Sequence, residues 1–253
     1  LGFSTVGNEY LIEGKVFFMP PSKLPLMFIH GAGGTSSKWR RVRDRLGDRA
    51  GIYVDLPGHG AGGDDTQDSV EGYAAVLGPQ IHQEVVLVGH SMGGLIAMEL
   101  AVRHHFVKGL VLVASHMSLP VHPKILVQLS AGVFPESLFH ASYSKQVDAK
   151  LLMEERDEIA LVSTQTTFLD FDACNGYHRG PNVFAALDIP ILAVYGSEDR
   201  LLPPTAKEDL VKVNARASVT TVAASGHYVM LEQPDEFVHV LTDFQGRVSE
   251  SQA

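Results

Sequence analysis

Cysteine is almost missing from this chain: among 253 residues only Cys174 carries a thiol, so no intramolecular disulfide can form. That usage suits a reducing compartment, and a cytoplasmic location is expected. Positive charge is also short, with 20 Lys and Arg against 29 Asp and Glu. A net charge of −9, with no polybasic patch, excludes nucleic acid and anionic membranes as main partners. Long apolar runs are lacking too. The longest, such as Leu110 to Ala114 and Ile189 to Val194, are strand-sized and far below the ~20 residues a membrane span needs; no signal peptide is read at the start. Although there are 12 histidines, no H-x-x-x-H pair and no Cys/His cluster has zinc-site spacing. Gly31 to Gly34 lacks both the Walker lysine-serine pair and the G-x-G-x-x-G spacing of nucleotide sites. Neither a metal nor a cofactor is expected. Internal repeats and low-complexity segments are absent as well.

What is present is a globular composition, 45% hydrophobic and 19% charged, in a length that suits one large α/β domain with room for an insertion. Phe3 to Met19 alternates through Tyr10, Ile12, Val16 and Phe18, and reads as an N-terminal antiparallel hairpin. After Pro20-Pro21, runs that are apolar throughout begin to alternate with helix-length amphipathic segments, as strands buried on both faces require. The strands are expected at Leu26 to Ile29, Ile52 to Val54, Val85 to Val88, Val107 to Val113, Ile191 to Tyr195 and Val219 to Val222. Helices are expected near Ser36 to Leu46, Ser69 to Gln80, Leu95 to His104, Pro204 to Val213 and Asp235 to Val248. The pattern predicts a mostly parallel, doubly wound sheet entered through a hairpin.

One interval breaks the alternation. Residues 116–187 contain no buried-strand pattern, yet Leu119, Val121, Ile125, Leu129, Leu138, Leu151, Phe168 and Phe171 recur at helical spacings. A structureless loop of that length is improbable in a compact domain. The expected organisation is therefore a core built from residues 1–115 and 188–253, with 116–187 as a helical cap over the carboxyl edge of the sheet.

The most informative motif is Gly89-His90-Ser91-Met92-Gly93-Gly94, set between the run Val85 to Val88 and the helix that follows. It matches the G-x-S-x-G nucleophile elbow in the strand-turn-helix context that motif needs. A serine at such a tip sits in a strained conformation that bare flanking positions tolerate best. The plainer alternative makes Ser91 a helix N-cap, but Ser91 has company. His30-Gly31-Ala32-Gly33-Gly34 follows the first buried strand, Glu198 and Asp199 the fifth, and His227 the last, all at strand ends where open α/β sheets place their ligands.

Together with Asp55-Leu56-Pro57-Gly58-His59-Gly60, Gly196-Ser197-Glu198-Asp199 with Pro203, and Ser225-Gly226-His227 with Glu232-Gln233-Pro234, these motifs resemble the α/β-hydrolase fold superfamily over essentially the whole chain. Within that superfamily the chain resembles capped serine hydrolases such as the bacterial carboxylesterases. The resemblance implies Ser91 as nucleophile, His227 as base, Asp199 rather than Glu198 as the acid, and the backbone N–H groups of Ala32 and Met92 as the oxyanion hole. Each type suits its task. A serine hydroxyl needs a base to remove its proton; an imidazole, with an ordinary pKa near ~6.5, can take that proton and return it; a carboxylate can hold the ring tautomer.

His30 and His59 are expected to hold neighbouring loops, and His90 to face away from the chemistry. Asp170, Asp172, Cys174, Tyr177, His178 and Arg179 read as a solvated loop or hinge cluster. The expected activity is hydrolysis of small to medium carboxylic esters through an acyl-enzyme, because an apolar cap closes off long polymers. Carbon-carbon bond hydrolysis and lactonase or perhydrolase chemistry use the same triad, and small-molecule receptors share the fold. The residues leave the natural substrate and the oligomeric state open. A longer glycine-proline oxyanion loop and an asparagine before the nucleophile, usual in the carbon-carbon hydrolases, are not found here.

Overall fold

The computed structural model describes residues 9–12, 15–18, 23–47 and 51–252, with side chains described from residue 23 onward. Strands β1 (Glu9–Ile12) and β2 (Lys15–Phe18) pair antiparallel as a two-stranded sheet of their own. The remaining residues of Phe3 to Met19, on which the N-terminal hairpin was expected, lie outside the described ones.

Among the described residues the main sheet has six strands: β3 (Leu26–Ile29), β4 (Gly51–Val54), β5 (Val85–His90), β6 (Val107–Val113), β7 (Ile191–Gly196) and β8 (Ala217–Val222). All its pairings are parallel, in the order β4-β3-β5-β6-β7-β8. The central strands β3, β5 and β7 are buried along their whole length, whereas the edge strand β8 is half exposed. That difference explains why apolar runs mark the centre of the sheet and a Thr- and Ser-bearing segment marks its edge.

Helices flank both faces. They are α1 (Arg40–Leu46), α2 (Val70–Leu77), α3 (Met92–Arg103), α4 (Pro123–Ser130), α5 (Glu136–Ala141), α6 (Ala149–Ile159), α7 (Thr164–Gly176), α8 (Gly180–Ala185), α9 (Ala206–Val213), α10 (Val229–Glu232) and α11 (Pro234–Glu250). Successive strand residues feed two different cores, as a period of two demands. Met27, Ile29 and Leu87 pack with Tyr73, Leu95, Ile96 and Leu210. Leu26, Phe28, Val86 and Val88 pack with Trp39, Val42, Phe237, Leu241 and Phe244 on the other face. Phe237, Leu241, Phe244 and Val248 form one stripe of α11, at most 3% exposed, each contributing about 1.5–3 kcal/mol of burial.

Five helices, α4 to α8, lie between β6 and β7, so the interval without strand pattern is helical. The chain winds from β3 to β4 on one side, then returns to place β5 on the other side of β3. Such a reversal leaves a crevice at the carboxyl ends of the two strands beside it. Here those ends carry the loop after Ile29 and the turn at Ser91. Among the described residues, no helix is long and apolar enough to cross a membrane.

Candidate active site

The turn at Ser91 is built by what its neighbours lack. Ser91 has φ 52° and ψ −120°, a region that costs a non-glycine residue about 1–3 kcal/mol. A Cβ on Gly89 would lie 2.2 Å from the carbonyl oxygen of Gly93, and one on Gly93 would lie 2.4 Å from that of Ile29. Both contacts are with backbone, which cannot swing aside. The strained residue is held by its own main chain: Ser91 N–H donates to Val113 O at 2.9 Å, while its carbonyl accepts from Gly94 N at 2.9 Å and Ser115 Oγ at 2.8 Å. Its side chain caps no helix N–H, so the N-cap alternative does not describe it. Ser91 instead lines a pocket of about 420 Å³.

His227 lines the same pocket. Its Nδ1 donates to Asp199 Oδ2 at 2.9 Å, with both side chains nearly buried. Asp199 also accepts from Leu201 N–H at 2.9 Å. Burial would raise the Asp199 carboxyl, but the His227 ring and the Leu201 and Leu202 N–H groups outweigh it and hold the group below the ordinary carboxylate range. The pair fixes the proton on Nδ1 and leaves Nε2 for the pocket. Among the described residues no hydrogen bond joins Ser91 Oγ to Nε2, although both residues line the same cavity. Glu198, the other carboxylate considered, accepts from Lys145 N–H at 2.9 Å and does not line the pocket.

The loop after β3 aims one backbone donor. Gly31 O accepts from His30 Nδ1 at 2.9 Å and from Gly34 N at 3.2 Å. Across a trans peptide the next N–H, that of Ala32, points the opposite way. Ala32 lines the pocket. His30 Nε2 meanwhile accepts from Leu56 N at 3.0 Å, so the ring is neutral with its proton on Nδ1; burial, followed by the nearby His59, lowers its pKa to about 4. Met92 opens α3, where a helix N–H has no partner within the helix. The sequence expectation for His30 and His59, that they tie loops together, describes their contacts.

Two expectations need correction. His90 does not face away: it lines the pocket, its ring lies 4.9 Å from that of His227, and its Nε2 donates to His227 O at 3.1 Å. Burial and the His227 ring keep it neutral, well below the usual histidine range. Nor do Asp170, Cys174 and Tyr177 of the polar cluster lie in a solvated loop: they are buried on α7 or at its end, while Asp172, His178 and Arg179 are exposed. Asp170 is 0% exposed: its Oδ2 accepts from Gly33 N at 2.7 Å and from His59 Nε2 at 2.8 Å, and its Oδ1 from Tyr73 OH at 2.7 Å. Cys174 lines the pocket but is buried, and burial together with the Asp170 charge pushes its thiol far above the usual range. It stays protonated and is a poor nucleophile.

Most of the remaining pocket wall is apolar, chiefly Leu119, Val121, Ile125, Phe134, Leu138 and Phe171 from residues 116–187, with His122 and Ser142 as polar members of the same segment. Among the described residues, the one permanently charged side chain lining it is Arg200, which donates to His140 O at 2.5 Å and Tyr143 O at 2.8 Å. Glu232, quoted in the sequence only as part of a motif, bridges Gly226 N at 2.8 Å and Ser144 N at 3.0 Å and so holds the loop that carries His227. Among the described residues no group of three or more His, Cys, Asp or Glu side chains is placed to hold a metal ion.

A model of the alpha/beta hydrolase family matches residues 26–240. The chain is 26% identical to the biotin biosynthesis bifunctional protein BioHC of Teredinibacter turnerae, the alignment covering 88% of this chain and 45% of that protein. This chain thus spans about half the length of that relative. It is also 26% identical to the pimeloyl-(acyl-carrier protein) methyl ester esterase of Vibrio vulnificus, over 88% of this chain and 94% of that enzyme. Among solved structures, a lipase-esterase related protein from Clostridium acetobutylicum superimposes with a TM-score of 0.78 at 18% identity, over 89% of this chain and 96% of that one.

Proposed function

The chain belongs to the alpha/beta hydrolase family, and from that membership we propose that it is a cofactor-free serine hydrolase cleaving small to medium carboxylic esters through an acyl-enzyme on Ser91. One observation carries the reading: the Ser91 turn opens into the cavity that also takes His227, whose Nδ1 is bonded to the buried Asp199 at 2.9 Å. In this reading Nε2 of His227 removes the Ser91 proton as Oγ attacks the ester carbonyl. The oxyanion that forms is met by the N–H groups of Ala32 and Met92. The imidazolium, steadied by Asp199, then protonates the departing alcohol. Water, activated by the same nitrogen, releases the acid and restores Ser91.

Residues 116–187 act as the cap, and they decide the size of the acyl group. A pocket of about 420 Å³, walled by Leu, Val, Ile and Phe side chains, suits a short to medium acyl chain rather than a polymer. Support from relatives runs the same way, since the Vibrio vulnificus protein is named as a methyl ester esterase. The test is a screen of aryl esters of increasing acyl length, with a lactone and a vinylogous diketone as separate arms, against the wild type and Ser91→Ala. Ester turnover that peaks at short to medium chains and vanishes in the variant is expected. Turnover retained in Ser91→Ala sinks the proposal, and preferential cleavage of the diketone or lactone reassigns the substrate class.

A further inference from the structure

Asp170 is a charged side chain 0% exposed, and the acyl-enzyme steps above give it no role. Its surroundings define its state. His59 Nδ1 faces Pro57 O at 3.0 Å, a pure acceptor, so that nitrogen carries a proton. Its Nε2 faces the Asp170 carboxylate at 2.8 Å and carries one as well. The two form a buried imidazolium-carboxylate pair, and Tyr73 OH completes the set at 2.7 Å. Burial works against that charge, but the Asp170 contacts outweigh it and raise the His59 pKa.

The remaining bond goes to the loop that bears Ala32. Gly34 N–H closes a turn onto Gly31 O, with Ala32 and Gly33 at its centre and Gly33 at φ +62°. The central peptide of such a turn has two orientations that differ by a flip. Asp170 Oδ2, taking the Gly33 N–H at 2.7 Å, selects one of them. The helix packs so closely on this turn that the position requires glycine, because a Cβ on Gly33 would lie 2.9 Å from Cγ2 and Oγ1 of Thr167, one turn before Asp170 on α7. Phe171 and Cys174, on the same helix, line the pocket.

We propose that Asp170 is a positioning residue for the oxyanion loop: it holds the Ala32–Gly33 peptide on one side of Ala32, while Gly31 O is held by His30 Nδ1 and Gly34 N on the other, and so couples the seating of α7 over the pocket to the placement of Ala32 and the aim of its N–H. A buried ion pair is a weak device for stability alone, since apolar side chains of similar volume often serve as well. Its placement on the residue next to the donor is what the proposal explains. The inference rests on the acyl-enzyme reading, and the experiment separates the two.

The variant is Asp170→Asn in the full chain. The measurements are kcat and KM on an aryl ester, and the inhibition constants of a trifluoromethyl ketone, which adds Ser91 Oγ and forms an oxyanion, and of the matching secondary alcohol, which does not. The expected result is a kcat about 10–100-fold lower with KM within about threefold. The ketone should weaken by a comparable factor while the alcohol is unchanged. Glu155→Gln is the control, because Glu155 is another 0% exposed carboxylate of the same insertion, bonded to Lys38, Arg40 and Tyr143 rather than to the Ala32 turn. It should keep kcat within about threefold even where its melting temperature falls as far. An unchanged kcat in Asp170→Asn, a change in KM alone, or an equal kcat loss in Glu155→Gln overturns the proposal. Should the Asp170→Asn chain not fold, Tyr73→Phe carries the test: kcat falls at least about threefold with the same split, and an unchanged kcat refutes the coupling. A wild type that forms no adduct with the ketone counts against the acyl-enzyme reading itself.

Discussion

Replacing Ser91 by glycine should make the protein more stable than replacing it by alanine, although both changes remove the same hydroxyl. The backbone at this position has φ 52° and ψ −120°, which costs any residue with a Cβ about 1–3 kcal/mol. Alanine keeps that cost and glycine does not. Against the gain stands the greater freedom of glycine in the unfolded chain, about 0.5–1 kcal/mol. The hydrogen bonds that anchor the turn, to Val113 O, Gly94 N and Ser115 Oγ, involve only the main chain of residue 91 and survive both changes. The difference is therefore about 1 kcal/mol in favour of glycine, or roughly 2–4 °C in melting temperature for a chain of this length. Urea unfolding of Ser91→Gly and Ser91→Ala at one pH, with turnover measured in parallel, is the assay. Both variants should lose at least ~10³-fold in kcat. A glycine variant equal to or less stable than the alanine variant would refute the claim that the elbow stores strain.

The glycines make a paired prediction: Gly93→Ala, whose Cβ would meet Ile29 O at 2.4 Å, should lose about 1–3 kcal/mol of stability through overpacking and about 10²-fold in kcat through displacement of Ser91. Gly246→Ala on α11, with nothing within 4 Å of the added atom, should gain about 0.5–1 kcal/mol and leave kcat alone; denaturant melts and kinetics on the two read both signs. Acid should destabilise the fold through His30. Its folded pKa of about 4 lies below the ordinary ~6.5, so its contribution is whole above pH ~6.5 and is lost as pH falls toward 4, about 2 kcal/mol between pH 6.5 and 5. Burial drives His90 the same way. The His59–Asp170 pair runs oppositely, because the His59 pKa is raised: its contribution is whole below pH ~6.5 and is lost as pH rises through the folded value. Unfolding free energies of wild type and His30→Gln at pH 6.5 and 5 check the first sign, and a wild type with no loss over that window contradicts it.

The sheet was legible because burial on both faces writes itself as unbroken apolar runs: β3 and β6 fall on the expected residues, and β5 and β7 extend only one or two residues past them. The exposed edge strand β8 begins two residues earlier than its apolar pattern, at Ala217, since a half-exposed strand need not be apolar. The turn at Ser91 was legible for a steric reason, its two flanking glycines. What could not be read is contact across long separations. Asp170 lies 137 residues from Gly33, 111 from His59 and 97 from Tyr73, and no local spacing encodes such meetings. Composition placed it in a polar cluster, where a solvated loop is the ordinary outcome. The ring of His90 escaped for a similar reason: its direction depends on His227, which is brought alongside only when β8 docks against β7. The short helix α10 (Val229–Glu232) was hidden because four residues are too few to show a period.

The central claim is that Ser91 Oγ is the atom that attacks, and covalent trapping tests it most directly. Incubation with a serine-directed aryl phosphonate, followed by intact-mass measurement and peptide mapping, should give one adduct per chain, on Ser91, with ester turnover lost in step with labelling. Asp199→Asn should slow the labelling about 10³–10⁴-fold by releasing the His227 tautomer. Labelling at any other residue, Cys174 included, or full turnover in a chain whose Ser91 is blocked, would contradict the account.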